Sequence, residues 1–228
     1  MLRACAQMFA LMIALPVVVT GTVRPVAAHP HIFIDTGFEL VTDADDALTH
    51  IRVTWAYDEY YSLLITEDLG VDADYDGVLT DQDQQALTGF DMNWSVEFNG
   101  DLVATLDGVP LILSRPVEPT ATLQSGRIIT THLRAVEGKP VLAGRALSLK
   151  PYDPEFYSAY EVSLPVTLSK DQPGGCLIEK IAPDNDTTMQ VLQDRFAKLG
   201  PDENPEQAGL PLIGAKLATE VRISCAGS

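Results

Sequence analysis

The strongest constraint on what this chain can fold into is a run of short segments that alternate apolar with polar residues and are cut by turn dipeptides. A side-chain period of two marks a strand with one buried and one solvated face. Residues 31–41 and 48–57 follow that pattern and are joined by the acidic turn Asp43-Ala44-Asp45-Asp46. Residues 95–98 and 101–106 flank Asn99-Gly100, and Asp107-Gly108 precedes 109–113. Both dipeptides tolerate the positive φ angles that a two-residue hairpin demands. Further strands are expected at 127–136, 145–150, 157–162, 176–181 and 216–225. Strands this short and this closely spaced predict a mainly β protein, an antiparallel β-sandwich of immunoglobulin-like type. One late helix is expected over 186–199, with Met189, Leu192 and Phe196 on one face and Gly200-Pro201 as its stop, followed by an acidic, proline-rich loop at 201–211.

The strand pattern is interrupted between residues 58 and 89. Asp72-Ala73-Asp74-Tyr75-Asp76-Gly77-Val78-Leu79-Thr80-Asp81-Gln82-Asp83 has the spacing of an EF-hand calcium loop. Carboxylates at alternating positions, Asp72, Asp74 and Asp76, converge on one hard cation as the backbone winds round it. Gly77 takes the sharp turn at the sixth position, where a Cβ would resist. Val78 offers its carbonyl, Thr80 can hold a water, Asp83 closes the shell, and Leu79 is an apolar peg. Helices at 58–69 and 81–87 would make this an inserted EF-hand-like helix-loop-helix. Asp83 stands where glutamate is usual and is one methylene shorter, which weakens calcium and narrows its margin over magnesium. The alternative is a solvated acidic surface loop.

Arg3, the apolar stretch 9–19 and Val26-Ala27-Ala28 read as a secretory signal peptide over residues 1–28. Its apolar core is too short for a membrane span, so none is expected after cleavage. Residues 29–228 then form a single β-rich domain, with 58–89 as its insertion. Removing 1–28 leaves 13 basic against 32 acidic residues, a net charge of −19 with the histidines neutral. That charge argues against nucleic acid or anionic lipid as partner and suits metal ions. Two cysteines remain, Cys176 and Cys225. In an oxidising compartment they make one disulfide; the rival is a metal–thiolate pair, for which no C-x-x-C spacing exists.

Cleavage would expose His29-Pro30-His31 as the new terminus. A terminal histidine presents an amine and an imidazole together, and His31 faces the same side of an extended strand. Imidazole suits nickel, cobalt, zinc or copper. The square-planar amino-terminal copper–nickel motif is excluded, because it needs the backbone nitrogen that Pro30 lacks as a donor. Asp35 or Asp58 could add a carboxylate, and the rival is a solvated terminus that binds nothing. His50 and His132 read as surface or packing residues, and Trp55, Tyr57, Tyr60 and Tyr61 read as core. No G-x-S-x-G, H-E-x-x-H or thiol–histidine pair is present, so no enzyme is expected. A copper-dependent enzyme built on the terminal histidine is the weakest rival, since no second catalytic group is visible.

Four segments together carry a family resemblance: His29-Pro30-His31-Ile32-Phe33-Ile34-Asp35, Trp55-Ala56-Tyr57-Asp58-Glu59-Tyr60-Tyr61-Ser62, Tyr152-Asp153-Pro154-Glu155-Phe156-Tyr157 and Val221-Arg222-Ile223-Ser224-Cys225. Over nearly the whole mature chain the sequence resembles the bacterial periplasmic family catalogued as domain of unknown function 1007. The resemblance implies a periplasmic component of an ABC-type transport system, often found beside nickel/cobalt-type transporters. From it comes the expectation of an accessory protein to a membrane metal transporter, with calcium at the acidic loop and His29 and His31 meeting the transported metal. The alternative is a calcium-stabilised protein–protein interaction module with no transition-metal role.

Overall fold

Two β-sheets turn their apolar faces into one hydrophobic cluster. The computed structural model describes residues 30–169, 175–184, 187 and 213–227. The expected signal peptide, His29, the loop at 201–211 and all but residue 187 of the expected late helix lie outside the described residues.

The chain enters as β1 (Ile32–Thr42) and returns as β2 (Leu48–Tyr57), antiparallel in a register that sets Thr36 opposite Trp55. Asp43 makes the turn between them by accepting the amides of Asp45 and Ala47 on Oδ1. Alternation sends Ile51, Val53, Trp55 and Tyr57 of β2 inward, with Ile34, Phe38 and Leu40 of β1. The first sheet is completed by β5 (Val117–Gln124) and β6 (Arg127–Ala135) on the β2 side and by β8 (Ser158–Glu161) and β9 (Val166–Leu168) on the β1 side. Both β8 and β9 run parallel to β1, a departure from the all-antiparallel pattern expected from strand spacing.

The second sheet has the order β10 (Cys176–Ile181), β11 (Glu220–Cys225), β7 (Ala146–Pro151), β3 (Leu102–Leu106) and β4 (Val109–Pro110). A short helix, α3 (Gly214–Leu217), precedes β11. Leu147, Leu149, Val221, Ile223 and Leu106 form the buried face of this second sheet. Asp107-Gly108 is the hairpin turn its sequence announces, with both φ angles positive and Leu106 opposite Val109.

Asn99-Gly100 is not a hairpin. Residues 95–98 form no strand, and β3 pairs with β4 and β7 instead. Gly100 lies beneath Trp94, where a Cβ would collide with the indole and with the Arg134 guanidinium. Asn99 Oδ1 accepts the Asp101 amide at 2.9 Å, which folds the segment into a local turn.

The insertion is built from its caps. Asp58 accepts the Tyr61 amide at 2.8 Å and opens α1 (Glu59–Leu69), which Gly70 ends in the left-handed conformation. Thr80 and Asp83 form a reciprocal capping box on α2 (Asp81–Leu87). Leu87 is fully buried, and Leu79 packs against the core from the loop between the helices.

Cys176 stands opposite Cys225 across β10 and β11, and the disulfide joins them. It closes a separation of 49 residues, which in the chain-entropy model stabilises the fold by about 4 kcal/mol. A Cys176→Ser/Cys225→Ser variant should lose most of that in urea unfolding. A denaturation midpoint equal to wild type would show that the two strands need no covalent tie.

Candidate functional site

The acidic loop brings three of its carboxylates together. Carboxylate oxygens of Asp72, Asp74 and Asp76 lie within 4.8 Å of one another, the one such acidic or metal-ligating trio among the described residues. Asp72 Oδ1 accepts the Gly77 amide at 3.0 Å, and Asp76 Oδ1 accepts the Val78 amide at 2.7 Å. Gly77 carries a φ of 75°, so the turn falls at the residue best able to make it. Val78 and Thr80 are exposed at the loop's rim.

Asp83 is not part of the converging trio. Its Oδ2 accepts the Thr80 amide at 2.9 Å and the Thr80 hydroxyl at 2.7 Å. Those bonds, with a further one from the Asp72 amide, hold its carboxyl below the usual range. The shorter side chain thus fastens the end of the loop to its start while capping α2.

At the other expected site, His31 is exposed and its ring packs at a tilt of 42° against Tyr157, with centroids 4.8 Å apart. Its backbone amide donates to the Tyr157 carbonyl at 2.8 Å. Both carboxylates considered as partners are engaged elsewhere. Asp35 pairs with Arg127 at 2.7 Å and accepts the Ser163 hydroxyl at 2.5 Å. Asp58 accepts the Phe33 amide at 2.9 Å besides capping α1.

A second site escaped the sequence reading. A concavity of about 570 Å³ opens beside the first residues of β1. Strand β1 contributes Ile32 and Ile34, β2 contributes Trp55 and Tyr57, and α1 contributes Tyr61. Asp91, Phe98 and Asp101 come from the irregular stretch before β3, and Tyr160 comes from β8. The turn before β8 adds Asp153, Pro154 and Glu155. Tyr57 donates its hydroxyl hydrogen to Asp91 Oδ2 at 2.9 Å, which also accepts from Thr130 at 2.7 Å. Tyr160 donates to Asp101 Oδ2 at 2.9 Å. His132 lies behind the wall, buried against Trp55 and Trp94 at 4.8 and 5.3 Å. Neither of its ring nitrogens has a hydrogen-bond partner, and burial with the nearby Arg134 charge brings its pKa down to about 3. It is a neutral packing residue.

A family model described as "Protein of unknown function (DUF1007)" matches residues 14–225. This chain belongs to that family. No curated protein matches it. In this DUF1007 chain, three of the four segments that carry the resemblance meet at the concavity: Ile32 and Ile34 from the first, Trp55, Tyr57 and Tyr61 from the second, Asp153, Pro154 and Glu155 from the third. The interleaving of aromatic and acidic residues in the second and third of these segments is the one hint the sequence carries; their meeting is visible only in the fold.

Burial pushes the Asp101 carboxyl up to about 7; the Tyr160 hydrogen bond opposes the rise and the Asp153 charge adds to it. Burial also raises Asp91, against the hydrogen bonds from Thr130 and Tyr57. Between about pH 4 and 7 the folded chain therefore holds a proton at Asp101 that the unfolded chain has lost, so this group's contribution to stability falls as pH rises. Asp101→Asn retains an acceptor for Tyr160 and suits the left-handed φ of 47°. Relative to wild type it should stabilise the protein at pH 8 by about 1–4 kcal/mol and leave stability at pH 4 nearly unchanged. Denaturant unfolding across that range checks this; parallel profiles would mean that Asp101 titrates as an ordinary carboxylate.

Proposed function

We propose that this protein is an extracytoplasmic calcium-binding accessory protein, a β-sandwich carrying one EF-hand-like site, that assists transition-metal transport without catalysing a reaction. The observation that carries the calcium reading is the convergence of Asp72, Asp74 and Asp76 within 4.8 Å. Three carboxylates so close repel one another, and a divalent cation supplies the missing counter-charge. The Val78 carbonyl and Thr80 complete the ligand set. Asp83 joins it only by releasing its bonds to Thr80, so calcium binds modestly, with a dissociation constant on the order of 0.1–1 mM.

The compartment is supported by the Cys176–Cys225 disulfide, a bond that persists in oxidising surroundings. Among the described residues no helix is long and apolar enough to cross a membrane. The transport role rests on the family resemblance. His29 and His31 would receive nickel, cobalt, zinc or copper before a membrane transporter takes it.

A second reading, a calcium-stabilised interaction module, is favoured by the apolar surface of the insertion, where Tyr60, Leu63, Leu64, Leu69 and Val78 are exposed.

Calorimetry with the native N-terminus separates the two. Asp72→Ala/Asp76→Ala should abolish one calcium site and the calcium-dependent rise in melting temperature; a melting profile indifferent to calcium and chelator in wild type would make the loop a surface feature. His29→Ala/His31→Ala should weaken binding of at least one of the four transition metals about tenfold or more, a loss of about 1.4 kcal/mol. Equal binding by wild type and variant for all four would remove the metal-delivery role and leave the interaction module.

A further inference from the structure

The concavity beside β1 has the volume of a small-molecule site, about 570 Å³. Its wall is chemically one-sided. Aromatic rings, aliphatic side chains and carboxylates line it, and among the described residues no lysine, arginine or histidine does. Asp101 is only 7% exposed; Tyr160 occupies its Oδ2, and no other side chain among the described residues pairs with it. Asp91 is bonded through Oδ2 to two hydroxyls, while its buried Oδ1 has no partner. The ion pairs between described residues do not involve Asp91 or Asp101. Two acidic side chains are thus held in an apolar recess with hydroxyl donors and, among the described residues, no counter-charge; above about pH 7 both are ionised, an arrangement that favours whatever cation can enter.

We infer that this recess binds a small organic ammonium ion, its charged nitrogen placed between Asp91 and Asp101 and its alkyl part laid against Trp55 and the flanking tyrosines. A hard metal ion fits the wall poorly. Such an ion gathers six or more oxygens, and the recess does not bring three acidic groups within 4.8 Å as the Asp72 loop does. An alkylammonium ion is satisfied by fewer carboxylates and by aromatic faces, which attract its charge through the ring quadrupole. A neutral ligand could return a hydrogen bond to the carboxylates but no counter-charge. The acidity of the whole chain, with a net charge of −17, draws cations toward the opening and repels anions.

The test uses the disulfide-bonded mature protein at pH 8, where Asp101 is ionised, and four probes: butylammonium, 1,4-diaminobutane, choline and uncharged 1-butanol. At least one of the three organic cations should bind with one-to-one stoichiometry in calorimetry. It should also change tryptophan fluorescence, since Trp55 lines the recess and the Trp94 ring lies 6.2 Å from the Trp55 ring. Butanol should bind at least about tenfold more weakly than that organic cation. Asp101→Asn, with its near-ultraviolet dichroism intact, should weaken organic-cation binding about tenfold or more. Should that variant fail to fold, the exposed Glu155→Gln carries the comparison, with a loss of about twofold or more expected. Asp72→Ala/Asp76→Ala should bind the organic cation as wild type does, which keeps this site distinct from the calcium loop. Absence of organic-cation binding below about 10 mM, butanol binding as tight as the best organic cation, or equal affinity in wild type and the folded carboxylate variant would overturn the assignment.

Discussion

The buried guanidinium of Arg134 fixes the part of the molecule that alternation alone leaves unformed. It projects inward from β6 and lies over the Trp94 ring at 4.9 Å. It donates to the carbonyl of Asn99 at 2.9 Å and to the carbonyl of Ser114. Arg115 reinforces it from the outside, stacked at 5.6 Å on the same indole and bonded to the carbonyls of Trp94 and Ser95. Burying a guanidinium costs several kcal/mol unless its donors and its charge are met, and here carbonyls and a π face meet them. Burial and Arg115 bring its pKa only to about 10, so it remains charged at neutral pH.

That fastening explains how an irregular stretch can carry two acids at definite positions. Trp94 donates its indole hydrogen to the Asp91 carbonyl at 2.8 Å, so the arginine-held ring in turn holds Asp91. At the other end, Gly100 lies under the same ring and delivers Asp101 to Tyr160. Strand β6 can serve as the base because its inward face is polar where a sandwich strand is ordinarily apolar. Thr130, His132 and Arg134 are all buried there, next to Ile128.

The insertion was legible in the sequence because its determinants are local. Asp58, Thr80 and Gly70 act within four residues of themselves, and both helices fall where those caps imply. The same holds for Asp107-Gly108. Asn99-Gly100 misled because the identical dipeptide chemistry served a tertiary need, close approach of backbone to an indole, and not a strand reversal. Strand β5 gave no alternation, since Glu118 has a φ of 50° and Pro119 sits inside it. The loop trio was readable from spacing, yet the role of Asp83 was not, because a carboxylate that can ligate can equally cap a helix. The aromatic recess was hidden most completely. Asp91, Asp101 and Tyr160 meet Trp55 only through strand register and the Arg134 anchor, neither of which has a local signature.

The parallel pairing of β1 with β8 and β9 has a consequence for how the chain must assemble. Strand β1 emerges first and finds β2 at once, but its other edge waits for Ser158, 126 positions beyond Ile32. Until then the leading hairpin presents an unpaired edge, the kind of template that neighbouring chains can extend. Closing so long a loop adds little to its equilibrium cost but delays the pairing. An open edge on β1 is therefore built into the order of the chain, and it closes only when β8 and β9 arrive.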